Sequence, residues 1–353
     1  MDRLRRSISA LRADAILVTH PSNILFLCGF SGSAGVLLVE AGGATLFTDS
    51  RYTFQANAEV SGARILIAKK GLLRAVGEKL KSRKGRSWVA YSPSQVMVEQ
   101  KESLQTAAGS GVRWVKGGNE VEKLRLIKDG EELVRMQAAA ALADEVFGAV
   151  VSLIRPGITE LDIAAEIEYQ MKKFGASGPS FETIVAAGPH SAWAHARPSS
   201  KPLNKNELVV LDQGAILRDY CSDMTRTVFL GRSPAKVRGL YRAVLEAQEA
   251  AKESIRPGVK AGDVDSVARA VLRKKGLARY FTHSTGHGLG LEVHEMPRLG
   301  RGETTVLQEG MVLTVEPGVY LEGLGGIRIE DEIVVTSTGA KDLITAPRGL
   351  IDL

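Results

Sequence analysis

The sequence predicts two domains. Residues 1–118 read as an α/β domain, a mixed sheet with flanking helices. Residues 119–353 read as an α+β domain with an internal pseudo-two-fold duplication. Three observations predict this. Apolar strand-like runs alternate with helical patterns through the first third, the signature of a sheet with helices packed on it. The glycine-rich stretch 109–119 ends that alternation. Beyond it, one order of elements occurs twice. Ile154-Arg-Pro-Gly157 and Ile255-Arg-Pro-Gly258 lie 101 residues apart, as do Asp162 and Asp263, and Gly175 and Gly276. Leu208-Val-Val-Leu-Asp212 echoes Val312-Leu-Thr-Val-Glu316 at an offset of 104. Self-similarity at a fixed offset marks a repeated structural unit.

In order, residues 1–18 read as an amphipathic helix leading into a strand at 15–18. His20-Pro-Ser-Asn23 reads as a turn, and residues 24–30 as an apolar strand. Residues 36–39 and 44–48 flank Ala41-Gly-Gly43 as a hairpin. A short helix through Gln55 and Ala58 follows, then a strand at 64–68 and a helix at 72–81. A strand at 88–91, a helix within 94–108 and a strand at 112–115 complete the first domain. The second opens on a long helical pattern over 119–151, interrupted near Asp129-Gly130. A helix from Thr159 is stopped by Gly175. Strands at 181–187, 208–212 and 223–230 follow. The second copy gives helices at 233–254 and 263–275 and strands at 312–316 and 327–336.

The bulk numbers bound the class. A chain of 353 residues is long for one core and comfortable for two. Its 44% hydrophobic and 24% charged residues are ordinary for a water-soluble globular protein. Arg3, Arg5, Arg6, Arg12 and Asp14 break any signal-peptide core in residues 1–20. No run approaches the roughly 20 apolar residues of a membrane span. Cys28 and Cys221 form no CxxC, and reduced thiols in the cytoplasm are expected. The net charge of +6 is unevenly spread. Residues 1–120 hold 17 Lys and Arg against 9 Asp and Glu, and the remainder 29 against 31. The densest basic run, residues 81–86, has no interleaved aromatic residues, so it reads as solvated surface and no nucleic-acid partner is expected.

The chemistry lies between residues 212 and 330. Asp212, Asp223, His287, Glu316 and Glu330 are four carboxylates and one imidazole. Each sits in or beside an apolar strand-like run, where an unpaired charge is costly. A pair of metal ions accounts for the whole set. Residues 212 and 223 are joined through a loop near Arg218, and 316 and 330 through Glu322-Gly-Leu-Gly-Gly326. Both read as hairpins that bring carboxylates from neighbouring strands to common ions. Oxygen-rich ligation with one imidazole suits manganese, iron, cobalt or catalytic zinc, not structural zinc. Two of the carboxylates could bridge ions spaced as in two-metal hydrolases. Gly286-His-Gly-Leu-Gly290 has neither the spacing of a dinucleotide loop nor a following helix. His195 and His294 could donate to a substrate carbonyl or move a proton. His190 and His283 read as structural histidines.

The segments Leu211-Asp212-Gln-Gly-Ala215, Ser222-Asp223-Met-Thr-Arg226, Ser284-Thr-Gly-His287-Gly-Leu-Gly290, Val293-His294-Glu295, Val315-Glu316-Pro-Gly318 and Ile327-Arg328-Ile-Glu330-Asp331 together resemble the pita-bread metallopeptidases. Within them the chain is similar to the Xaa-Pro branch, aminopeptidase P and prolidase. Residues 1–118 resemble the creatinase-type N-terminal domain, notably at Asp49-Ser-Arg-Tyr-Thr53. The resemblance implies a pita-bread fold for residues 119–353 and two divalent ions, manganese first, with cobalt, zinc or iron as alternatives. Asp212 would hold one ion, His287 and Glu316 the other, and Asp223 and Glu330 would bridge. His195 and His294 would contact the substrate, Arg328 would orient a metal-binding carboxylate, and Glu316 would take a proton from the attacking water. The implied substrates are short peptides with proline at position two, cut either as dipeptides or at the N-terminus of longer chains, and the implied assembly is a homodimer. The chain departs from the common family pattern at Ala194, at His190, where a small polar residue such as Asn is usual, and at Glu295-Met296. These departures touch the substrate pocket and no metal ligand. A creatinase-like amidinohydrolase would not use the metal ions, a methionine aminopeptidase would lack the first domain, and a non-catalytic peptide-binding relative would have lost ligands. The retained set argues against the first and the third, and residues 1–118 argue against the second.

Overall fold

Ala15-Ile-Leu-Val18 forms a strand with all four residues buried (β1, Ala15–Val18), and the first part of the chain is layered on it. The computed structural model describes every residue except Lys84 and Gly118, and of Asp2 the backbone only. Lys84 belongs to the basic run and Gly118 ends the first domain expected from sequence, so those positions lie outside the described residues. The chain divides into two units, Met1–Arg125 and Leu126–Leu353.

The first unit also contains α1 (Asp2–Ala10), α2 (Pro21–Cys28), β2 (Gly35–Glu40), β3 (Gly43–Thr48), α3 (Thr53–Glu59), β4 (Arg64–Ile67), α4 (Leu72–Lys81), β5 (Ser87–Tyr91), α5 (Val98–Ala108), β6 (Val112–Lys116) and α6 (Glu120–Arg125). Its sheet runs β4-β3-β2-β1-β5-β6. β1, β2 and β3 pair antiparallel, while β4, β5 and β6 join in parallel. Side chains alternate across a strand. Ile16 and Val18 accordingly face a cluster with Leu4, Ile24, Leu27 and Val121, whereas Ala15 and Leu17 face one with Val76, Leu80 and Leu104. The segment read from sequence as a strand at 24–30 is instead α2. Pro21 occupies its first turn, and Gly29 ends it at φ 80, a left-handed conformation that glycine adopts freely. Ile24, Leu27 and Cys28 then share one helix face in the core.

The second unit holds α7 (Gly130–Val151), α8 (Glu160–Lys173), β7 (Gly178–Pro179), β8 (Ile184–Ala187), β9 (Glu207–Gln213), β10 (Ala215–Leu217), β11 (Tyr220–Cys221), β12 (Met224–Leu230), α9 (Ala235–Ser254), α10 (Ala261–Lys274), β13 (Gly286–Gly288), β14 (Glu295–Leu299), β15 (Val312–Val315), β16 (Gly318–Leu321), β17 (Gly325–Arg328), β18 (Asp331–Val335) and β19 (Ala340–Asp342). The duplication is visible in its backbone. Gly157 N–H donates to Leu203 O at 2.9 Å and Leu203 N–H to Ile158 O at 2.8 Å. In the second copy Gly258 donates to Leu307 O at 2.9 Å and Leu307 to Val259 O at 2.8 Å. Both helix pairs are helical hairpins opened by the Arg-Pro-Gly break. Asp129 caps α7 by accepting from the N–H groups of Glu131 and Glu132. α7 and α8 pack Met136, Val146 and Ile163 on Val209, Leu211 and Val228, and α9 and α10 pack Val244, Val264 and Leu272 on Leu313, Val315 and Ile333.

β9 pairs antiparallel with β12, placing Asp212 opposite Thr225, and β15 pairs antiparallel with β18, placing Val315 opposite Asp331. The run 327–336, read as one strand, is two. β17 pairs with β16 and β18 with β15, and Ile329-Glu330 is the break between them. No helix among the described residues is long and apolar enough to cross a membrane.

Directly behind this break, Arg226 is 2% exposed and fully engaged. It donates to Asp331 Oδ1 (2.7 Å), Glu330 O (2.5 Å), Thr225 O (3.0 Å), Ala346 O (2.8 Å) and Pro347 O (3.0 Å). Lys252 Nζ reaches Asp331 Oδ2 at 2.9 Å. Burial alone would raise the Asp331 carboxyl, but Arg226 and Lys252 outweigh it and hold it below the usual range. A depressed folded value stabilises above the unfolded pKa of about 4 and is lost as pH falls through the folded value. Asp331→Asn leaves buried Arg226 without its carboxylate and Lys252 with Asp342 alone, and is expected to destabilise the protein by about 3–5 kcal/mol at pH 7, less in acid. Urea unfolding checks this, and a loss under about 1 kcal/mol would show that the cluster is not a stabilising centre.

Candidate metal centre

The five predicted side chains line one cleft of about 800 Å³. Asp212 projects from β9. Asp223 lies one residue ahead of β12, Glu316 one residue past β15, and Glu330 in the break between β17 and β18. His287 sits mid-strand in β13, which is wedged between its neighbours. A Cβ on Gly286 would meet Thr314 O at 2.0 Å and one on Gly288 would meet Met296 O at 2.2 Å, so only glycine flanks the histidine. The ligand atoms of Asp223, His287 and Glu330 all lie within 4.8 Å of one another. His287 Nε2 is 3.5 Å from Asp223 Oδ2 and 3.6 Å from Glu316 Oε1.

The surrounding groups fix these donors. His287 Nδ1 donates to Gly288 O at 3.0 Å, which leaves Nε2 aimed at the carboxylates. Arg328 Nη2 donates to Asp212 Oδ2 at 2.5 Å, Nη1 to Ala194 O at 3.0 Å and to the Tyr320 hydroxyl at 2.6 Å, and Nε to Thr225 Oγ1 at 3.0 Å. Thr225 Oγ1 in turn donates to Glu330 Oε2 at 2.7 Å. One buried hydroxyl thus couples the arginine to a second carboxylate. Glu332 Oε1 accepts the Asp223 N–H at 2.6 Å.

The electrostatics favour cations. Burial pushes Asp223 up to about 6, Glu316 up to about 7 and Glu330 well above the carboxylate range. Burial would lower His287, but Asp223 and Glu316 beside Nε2 outweigh it and lift it to about 9. The protein alone would therefore satisfy this cleft by holding protons there. Asp212 Oδ1 is buried and has no hydrogen-bond partner among the described residues. An orphaned carboxylate oxygen beside three further carboxylates and an imidazole nitrogen fits divalent cations with oxygen-rich ligation.

His195 and His294 both line the cleft, and the His294 ring centroid is 4.4 Å from that of His287. Burial lowers His294, and His287 and His195 add to the effect, so it is neutral. His190 is outside the cleft, with Nδ1 2.9 Å from Glu160. His283, read as structural, instead lines the cleft. Its Nδ1 donates to Ser284 O at 2.8 Å, and its Nε2 accepts from the Tyr320 hydroxyl at 2.9 Å. Burial, with Arg328 nearby, pushes it down to about 4. His283, Tyr320 and Thr225 are not legible as site residues in the sequence. The usable signals are the four-residue spacing of His283 from His287 and, once register is known, the cross-strand neighbours Asp212 and Thr225.

The sequence pattern of Metallopeptidase family M24 matches residues 134–337, and that of the Creatinase/Prolidase N-terminal domain matches residues 1–127. Over 353 residues the chain is 37% identical to the Xaa-Pro dipeptidase of Pyrococcus furiosus, covering 99% of each. It is similar in structure to the Xaa-Pro dipeptidase from Bacillus anthracis, with 37% identity, a TM-score of 0.95 and coverage of 99% of this chain and 98% of that one. It is also similar to the X-Pro aminopeptidase from Thermotoga maritima, with 36% identity, a TM-score of 0.91 and coverage of 99% and 100%.

Thr225→Val keeps shape but removes the hydroxyl between Arg328 and Glu330. It is expected to leave the fold intact and weaken Mn(II) binding about 10–100-fold, read by calorimetric titration of the chelator-stripped protein. Parent-like affinity would show that this hydroxyl does not order the site.

Proposed function

The chain belongs to Metallopeptidase family M24 and carries a Creatinase/Prolidase N-terminal domain; on that footing we propose that it hydrolyses the bond preceding a proline at position two of short peptides, as an Xaa-Pro dipeptidase or Xaa-Pro aminopeptidase. The observation that carries the reading is the convergence of Asp212, Asp223, His287, Glu316 and Glu330 at one cleft. Relatives similar over nearly the whole chain bear both names, which supports the substrate class and leaves peptide length to the assay.

In this reading Asp212 would hold one divalent ion and His287 and Glu316 the other, with Asp223 and Glu330 available to both. Bound ions of this kind polarise a carbonyl and make water nucleophilic at neutral pH. The chain supplies the rest. Arg328 orients Asp212 through its short charge-assisted bond. Glu316 takes the proton from the attacking water. His294 and His195, on the wall, hydrogen-bond the substrate carbonyl oxygen as charge develops on it. The scissile nitrogen belongs to a proline ring and has no N–H, so a site shaped for the tertiary amide selects it. Manganese fits the oxygen-rich donor set, and the two free, buried cysteines are consistent with a cytoplasmic setting. The reading includes a homodimer, which light scattering checks. No specific observation favours the amidinohydrolase or binding-only alternatives.

Two experiments test this. Chelator-stripped protein restored with Mn(II) is expected to regain hydrolysis of Ala-Pro, Ala-Pro-Ala or both. Cleavage of Ala-Pro alone identifies a dipeptidase, and cleavage of Ala-Pro-Ala as well identifies an aminopeptidase. Absence of metal-dependent cleavage of either would contradict the proposal. His195→Ala is expected to keep the metal and lower kcat about 10²–10³-fold, as for loss of one transition-state donor. Loss of metal in that variant would contradict the role given to His195.

A further inference from the structure

Glu160 has no solvent exposure and no place in the metal centre. It is the first residue of α8, where the helix N-terminus favours a negative charge. Its carboxylate is saturated. Oε1 accepts from the Ala187 N–H at 2.8 Å, Oε2 from the Ser199 N–H at 3.1 Å and Oγ at 2.7 Å, and His190 Nδ1 lies 2.9 Å from both oxygens. These partners stand at the two ends of one loop, residues 188–199, and near its start. That loop carries His195.

The duplication supplies an internal control. Glu160 N–H donates to Lys201 O at 3.2 Å, and Ala261 N–H donates to Thr305 O at 2.9 Å, the same contact in the second copy. The second copy folds with a fully buried alanine there. Helix–strand packing therefore does not require a carboxylate at this position, and burying one is costly unless it is fully bonded. In the first copy the carboxylate bonds the residues that flank and end the loop carrying His195, whereas an alanine at the equivalent position can bond neither. The middle of that loop is tied separately. Gly326 N–H donates to Ser191 Oγ at 2.8 Å, and Arg328 Nη1 donates to Ala194 O at 3.0 Å, one residue from His195.

We propose that Glu160 and His190 are positioning residues that clamp the ends of the 188–199 loop, while Arg328 holds its middle, and so set His195 over the cleft. The inference rests on the substrate-contacting role given to His195 above. It also gives His190 a function in this chain: its ring N–H bonds the buried Glu160 carboxylate, a contact that the side-chain N–H of an asparagine could also make.

The test uses the full-length, Mn(II)-loaded protein and the variants His190→Ala and His190→Asn. His190→Ala is expected to lower kcat about 10–100-fold with KM within about twofold, because displacement of a transition-state contact acts on kcat. Metal content is expected to stay at the parent value, the unfolding midpoint to fall modestly because buried Glu160 loses one partner, and His190→Asn to restore most of the rate. Amide hydrogen exchange read on the same samples is expected to quicken across residues 188–199 in His190→Ala, and not in β9 or β12. Parent-like exchange of the loop in His190→Ala would overturn the proposal, as would a rate loss that tracks metal loss or that asparagine does not relieve. If the parent cleaves neither Ala-Pro nor Ala-Pro-Ala, the functional reading has failed separately, and loop exchange alone decides whether His190 positions the loop.

Discussion

Four carboxylates facing one low-dielectric cleft repel one another, and the second unit is organised around that repulsion. Protein groups answer only part of it. Arg328 neutralises Asp212, Thr225 hydrogen-bonds Glu330, and the Asp223 backbone is held by Glu332. Burial, with the neighbouring carboxylates adding to it, raises the proton affinities of Asp223, Glu316 and Glu330, and Asp223 and Glu316 raise that of His287. Buried groups with raised proton affinity in this arrangement fit divalent cations as well as protons. Behind it, Arg226 and Lys252 are spent on Asp331, so the charges that stiffen the scaffold are kept separate from those that open onto the cleft.

The duplication explains how such a site can be assembled. Each copy delivers a helix pair and an antiparallel strand pair whose ends carry carboxylates, and the two sets line a common cleft. The copies then diverge. The second contributes the glycine-flanked strand of His287, in which close backbone approach replaces side-chain packing. The first contributes the loop with His195, anchored on a buried Glu160 where the second has Ala261. These differences lie at the candidate site, whereas the backbone bonds at the Arg-Pro-Gly breaks are common to both copies.

Much of this is legible in the amino-acid sequence. The mixed-sheet α/β first unit and the duplicated α+β second unit follow from strand–helix alternation and from the recurring offsets, and the pita-bread form of the second is what the motif resemblance implies. The five donor residues stand out as charges in apolar runs. What is not legible depends on context that a local pattern lacks. Residues 24–28 are strand-like in composition, but Pro21 and Gly29 make them a helix whose face the core needs. The apolar run at 327–336 hides a change of sheet at Ile329-Glu330, and that break is what points Glu330 into the cleft. Thr225, Tyr320 and His283 are ordinary residues in sequence. They matter because register brings them to Arg328, and register is a long-range property.

The central claim is that these carboxylates share a pair of cations. Its most direct test is electron paramagnetic resonance of the stripped protein titrated with Mn(II), together with a metal count on the same samples. The account predicts saturation at two ions per chain, with the exchange-coupled spectrum of ions that share ligands, and loss of that spectrum in Glu330→Gln. Saturation with a spectrum of isolated ions only, or no stoichiometric binding, would contradict it.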